Sequence, residues 1–169
     1  DVRFNHCGHT SQLVVERLAR RVVGWDYSRW YATADTYPQN AVRGPIVMVT
    51  NQWAGSDGDI VAAATQAMGY AKVIGERSWG GVVGIDGRFD LVDGTSVTQP
   101  RYAGWYGSYG WGVENHGVDP DIVVTVSPED WEADCDVQLD AAIAECLRQL
   151  DDKPAATAPE LPGPAFDRC

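Results

Sequence analysis

The chain has 169 residues, 44% of them hydrophobic, with 24 acidic residues against 13 basic ones and a formal net charge of −11. That is enough chain and enough apolar content for one domain with a core of its own. The acidic balance speaks against a nucleic-acid partner and an anionic membrane surface, and no apolar run is long enough to span a bilayer.

In chain order, the opening Asp1-Val2-Arg3-Phe4-Asn5 reads as the end of a strand. No stretch reads as a signal peptide, and a chain that begins inside an element is expected to be a piece of something longer. His6-Cys7-Gly8-His9 follows as a turn. Thr10 is placed to cap a helix whose apolar positions Leu13, Val14, Leu18 and Val22 recur at helical spacing. Residues 24–43, with Trp25, Trp30, Tyr31 and Tyr37, are too aromatic for a linker and read as a long ordered loop.

The β-branched run 46–51 predicts a buried strand, residues 59–68 a helix stopping at Gly69, and Lys72–Gly75 a second strand. A glycine-rich loop over 76–84 lacks the pattern of a phosphate-binding loop. Residues 88–99 alternate around Asp93-Gly94 as a hairpin does. After a Gly-, Trp- and Tyr-rich stretch at 102–112, Asp119-Pro120-Asp121 turns into a strand over 122–126. Helices start near Ser127 and Asp136, the last presenting Leu139, Ile143, Leu147 and Leu150 on one face. The Pro- and Ala-rich residues 152–169 read as a flexible tail behind a domain ending at 151.

Strands alternating with helices make this an α/β domain with a largely parallel core sheet and flanking helices. The four cysteines, Cys7, Cys135, Cys146 and Cys169, show neither zinc-ligand spacing nor a CxxC pair. They read as reduced thiols in a cytoplasmic protein.

Chemistry concentrates where the 46–51 strand gives way to the next helix. Ser56 falls at or near that helix's N-terminus, where unpaired N–H groups and the positive end of the helix dipole favour a developing oxyanion. The same residues make a fair capping box, Ser56-x-x-Asp59, and caps are commoner than nucleophiles.

Five ordered blocks then match a known group: DVRFN…GHTSQL, NQWAGSDGDI, GERSWGGVVGI, YGWGVENHGVDPDI and DVQLDAAI. Over residues 1–150 they resemble the C-terminal catalytic domain of tricorn-type proteases, within the tail-specific or C-terminal processing serine peptidases. The fold of that group is similar to the crotonase and Clp-protease α/β superfamily. The resemblance implies that Ser56 is the nucleophile of an acyl-enzyme peptidase. Asp57 N–H and the Cys7-Gly8 loop would form the oxyanion hole. Glu114 would hydrogen-bond a serine that orients the histidine base. In the family that histidine and that serine lie before the DVRFN segment, and His6, His9 and His116 do not occupy their places. Relatives with a Ser/Lys pair carry lysine at the position of Gly81, so a lysine base is not expected. Asp26 is the expected receiver of a basic substrate side chain, with a turn-capping aspartate as the equal alternative. Peptides are the implied substrates, with no metal or cofactor. A homo-hexamer with propeller and PDZ-like modules of the same polypeptide is the implied context.

One departure stands out. The family's oxyanion loop is a run of glycines, whereas here it is Asn5-His6-Cys7-Gly8. An inactive, peptidase-derived peptide-binding module is therefore the second reading, and a crotonase-like acyl-CoA enzyme the third. Trp79, Trp105 and Trp111 fit either a peptide cleft or, more commonly, core packing.

Overall fold

The structure is a computed structural model and describes residues 1–162. Its centre is a parallel sheet of three strands in the order β3-β4-β7: Val47–Thr50, Lys72–Gly75 and Ile122–Val123. Helix α2, Asp57–Met68, joins β3 to β4. Register pairs Val47 with Lys72 and Thr50 with Gly75.

Successive strand residues face opposite sides, and the two sides have different tenants. Met48 and Val73 pack with Val61, Ala62 and Ala63 of α2 and with Val82, Val113 and Val118. Val49 and Ile74 pack with Ala142 of α4, Val137–Asp152. The result is an α/β domain with helices on both faces of a parallel sheet. Helix α1, Ser11–Leu18, lies on α2. No helix of the described residues is long and apolar enough to cross a membrane.

Several elements depart from sequence expectation. Asp1–Asn5 is not a strand. Val2 N–H donates to Val49 O at 2.9 Å, and the chain then turns, with Asn5 N–H on Val2 O. The 24–43 stretch contains an antiparallel pair, β1 (Gly24–Asp26) and β2 (Asp35–Tyr37), too short to leave a periodic signal. The turn at Asp93-Gly94 forms, with Gly94 at φ +81 and Asp90 bridging Ser96. Its outer arm, β6 (Gln99–Tyr102), pairs instead with β5 (Gly84–Asp86). The 122–126 strand shrinks to Ile122–Val123.

The expected apolar face of α4 points the wrong way. Leu139, Ile143 and Leu147 are 41%, 49% and 57% exposed, while Gln138 and Ala142 are buried. A helix lying close on β3 and β4 needs small side chains at the contact, and Ala141 and Ala142 provide them.

Beyond Asp152 the chain follows the body. Ala156 N–H donates to Arg43 O at 2.8 Å, and the Tyr27 hydroxyl donates to Pro159 O. The rest of the expected tail, 163–169 with Cys169, lies outside the described residues. Cys7, Cys135 and Cys146 form no disulfide among the described residues.

The N-terminal segment is tied to α4 by a forked ion pair. Arg3 donates to both carboxylate oxygens of Asp136 at 2.7 Å, and Asp136 also caps α4 through Leu139 N–H. The Arg3 guanidinium holds the Asp136 carboxyl down at about 2, below the ordinary 3.8. A depressed carboxylate stabilises the fold fully above its unfolded pKa, and that contribution is lost as pH falls through the folded value. Wild-type stability is therefore expected to fall between about pH 4 and about pH 2. In Asp136→Asn, which can still cap, that slope should flatten. Denaturant midpoints across this range check it, and an unchanged slope would refute the assignment.

Candidate active site

Between β3 and α2 the backbone folds back tightly, with Ala54 N–H on Asn51 O and Gly58 N–H on Gly55 O, both 2.9 Å. Helix α2 starts at Asp57, two residues before the expected start. Ser56 precedes it at φ 54, ψ −110. A non-glycine residue held there costs about 1–3 kcal/mol. A strained strand-to-helix turn that presents a serine is the form of a nucleophile elbow. Ser56 and Asp59 have the layout of a capping box, and Asp59 accepts Ser56 N–H at 2.8 Å. The Ser56 hydroxyl faces Asp59 N–H in capping-box fashion but makes no hydrogen bond of ordinary geometry to it.

Asp57 is 3% exposed, and its N–H finds no acceptor among the described residues. The first N–H groups of a helix have no intrahelical partner, and this one points out of the N-terminus of α2. The Asp57 side chain faces the other way. Its Oδ2 accepts Thr10 N–H at 2.8 Å and Ser11 N–H at 2.9 Å, pinning the loop before α1 to the elbow. Burial pushes this carboxyl up, but the hydrogen bonds from Ser11 and Thr10 outweigh it and leave it below the ordinary aspartate range. Gly8 lies in the same place: a Cβ there would stand 3.3 Å from Asp57 Oδ2. Gly55 N–H donates to Asn5 O at 2.8 Å. The 5–8 loop and the Ser56 elbow are therefore in direct contact, as an oxyanion hole built from both requires.

The glycine-rich loop is held from two sides. Asp59, fully buried, accepts Gly80 N–H at 2.9 Å, Gly81 N–H at 3.2 Å and the Ser78 hydroxyl. Glu114 Oε2 accepts Val82 N–H at 2.7 Å and Val83 N–H at 2.8 Å. Glu114 Oε1 has no donor among the described residues. His116 turns away from Glu114: it bonds Asp119 Oδ2 through Nε2 at 2.8 Å and accepts from Arg77 at Nδ1. None of the three histidines hydrogen-bonds Ser56. At Gly81 a Cβ would meet the Trp79 ring at 2.7 Å, so a lysine there requires the exposed Trp79 side chain to move.

Residues 1–124 match peptidase family S41. The chain belongs to that family. It is 60% identical over 162 residues to Tricorn protease homolog 1 of Streptomyces coelicolor, covering 96% of this chain and 15% of that protein. It is 47% identical over 150 residues to Tricorn protease of Thermoplasma acidophilum, covering 89% of this chain and 14% of that one. Among solved structures, tricorn protease superposes with a TM-score of 0.85 at 46% identity, over 89% of this chain and 15% of that one. Mature CPAF shares the fold alone, at TM-score 0.55 and 21% identity over 72% of this chain and 24% of its own. The chain thus spans about 15% of the length of its tricorn relatives.

Within this tricorn-like S41 domain the structure brings Ser56, Asp57, Gly8 and the loop carried by Glu114 into one connected unit. Asp26 is not part of it. It is the exposed last residue of β1, a strand that pairs with β2. Trp79, Trp105 and Trp111 are largely exposed, so the core reading of these three fails. A cleft of about 740 Å³ opens at the carboxyl ends of β3, β4 and β7, between Trp53, Glu76 and Val126, with Phe4 and Trp131 on its walls. Ligands of open α/β sheets bind at that end, and the Ser56 elbow follows β3 on the same end. A second cavity of about 600 Å³ lies where the strands begin, at Ile46 and Tyr70, and Gly8, Ser56, Asp57 and Glu114 line neither of the two. Sequence reasoning missed the reach of Asp59. It read that residue as a cap, and its other donors lie about twenty residues away.

Proposed function

We propose that this chain is the nucleophile-bearing part of a tricorn-like serine peptidase that cleaves peptides or oligopeptides through an acyl-enzyme. The supporting observation is the Ser56 hydroxyl on a strained elbow, beside the unpaired N–H of Asp57. Ser56 Oγ attacks the scissile carbonyl and loses its proton to a base, and the leaving amine takes that proton back. Asp57 N–H, with an N–H of the Cys7-Gly8 loop, holds the tetrahedral oxyanion. Each such donor lowers the barrier by about 3 kcal/mol.

The base in this reading is a histidine outside the 169 residues, oriented by a serine that Glu114 accepts from. Glu114 keeps Oε1 for that serine while Oε2 holds the Val82 and Val83 amides. An extended peptide is the substrate in this reading, by likeness to the tricorn proteases. Reception of a basic side chain by Asp26, assembly into a homo-oligomer, further modules in the same polypeptide and a cytoplasmic setting belong to the same proposal.

The test is hydrolysis of fluorogenic peptides by the full-length protein and its Glu114→Gln variant. The wild type should cleave, and the variant should lose about 10²-fold in kcat at unchanged KM. The His6-Cys7 substitution in the oxyanion loop favours the alternative, a peptide-binding module. A wild type that binds these peptides without turnover would establish that alternative and overturn the peptidase reading.

A further inference from the structure

Four consecutive backbone N–H groups, from Gly80 to Val83, end on two carboxylates. Gly80 and Gly81 donate to Asp59, and Val82 and Val83 donate to Glu114. Asp59 also accepts Ser56 N–H at 2.8 Å and the Ser78 hydroxyl. Its Oδ2 is shared by Ser56 and Gly81, and its Oδ1 by Ser78 and Gly80. Ser78 Oγ continues the chain by accepting Val118 N–H at 2.8 Å.

An ordinary N3 cap needs only the bond to Ser56 N–H. Asp59 instead is 0% exposed, with no salt bridge among the described residues, and three of its four donors lie 19 to 22 residues away in sequence. A buried carboxylate survives only where donors surround it, and removing it strands every one of them. The arrangement costs more than a helix cap requires, so its use lies in what it joins. On one side it grips the amide of the strained serine. On the other it grips the loop whose next two amides are held by Glu114.

We propose that Asp59 is a positioning residue for the acyl-transfer reaction. It fixes the Ser56 elbow against the Glu114-bearing segment by holding Ser56 N–H and the 78–81 loop on one carboxylate. With Ser56 N–H occupied by Asp59, the neighbouring Asp57 N–H is left as the free donor of the elbow. This role rests on Ser56 being the nucleophile.

The experiment uses the full-length protein and three variants, Ser56→Ala, Asp59→Asn and Ser78→Ala. It reads kcat and KM on a fluorogenic peptide, the rate of Ser56 labelling by a fluorophosphonate, and the thermal midpoint. Asn is close in volume to Asp, but its NH2 group faces N–H donors that need an acceptor. Asp59→Asn should lower kcat and the labelling rate together by about 10²-fold, the scale of a misplaced reacting group, with KM unchanged. A purely structural Asp59 would lower the thermal midpoint and leave kcat and labelling of the folded protein at wild-type values, and that result overturns the proposal. If Asp59→Asn does not fold, Ser78→Ala decides: a lower kcat at unchanged KM supports the role, and an unchanged kcat overturns it. Ser56→Ala separates the two layers. Full activity in Ser56→Ala defeats the nucleophile reading and the positioning role with it, whereas an inactive Ser56→Ala beside a fully active Asp59→Asn defeats the positioning role alone.

Discussion

Ser56→Ala in the full-length protein is expected to lower kcat by roughly 10⁶-fold, the scale seen when a serine nucleophile is deleted, with KM and thermal midpoint near wild type. The pairing of these outcomes matters. A Ser56 that served as a helix cap would, on replacement, cost about 1 kcal/mol of stability and leave catalysis alone. The hydroxyl makes no cap hydrogen bond of ordinary geometry, while Asp59 grips the backbone N–H that alanine retains. Steady-state peptide hydrolysis with a parallel melting curve distinguishes the two. Loss of stability with full turnover would return Ser56 to the role of a cap.

The second large effect is expected at Gly117→Ala. Gly117 stands at φ +91, and a Cβ there would lie 2.1 Å from Ser78 O and 2.8 Å from Ser78 C. Gly80 is its counterpart at φ +90, its own Cβ position 2.5 Å from Gly117 N. Two backbones cross here at van der Waals limits, locked by Ser78 N–H on Val118 O at 3.1 Å and Asn115 N–H on Gly80 O at 2.7 Å. Nothing flexible can yield, so the crossing must open, and the 78–83 amides lose their carboxylate partners. A local loss of about 4 kcal/mol is expected, or roughly 10³-fold less protection of those amides in hydrogen exchange. Gly69→Ala is the control. Gly69 also has positive φ, but its Cβ would enter open space, so only about 1 kcal/mol is at stake. Equal effects of the two substitutions would show that the crossing is looser than its geometry indicates.

The unit from β3 to β4 was legible in the sequence because each piece carries a local cause. The 46–51 run is β-branched, the alanines of α2 favour helix, and Gly69 ends it in the left-handed conformation. The place of Ser56 before α2 was legible for the same reason, standing between a buried run and an acidic helix start. What sequence missed is what depends on partners distant in the chain. The exposed face of α4 looked like a core face by periodicity, yet β3 and β4 select the alanine side. The β1–β2 hairpin has three residues per strand and no pattern to read. Asp59 looked like an ordinary cap because its other donors sit on the 78–81 loop. Glu114 was placed in the site by family resemblance, but its bonds to Val82 and Val83 became visible only when the chain was folded.

Treating the full-length protein with a fluorophosphonate and mapping the adduct by mass spectrometry decides whether Ser56 is the nucleophile. One adduct is expected, on Ser56, with peptidase activity falling in proportion to labelling. An adduct on another serine that tracks the loss of activity, or a protein labelled at Ser56 that still cleaves peptides at the wild-type rate, would contradict it.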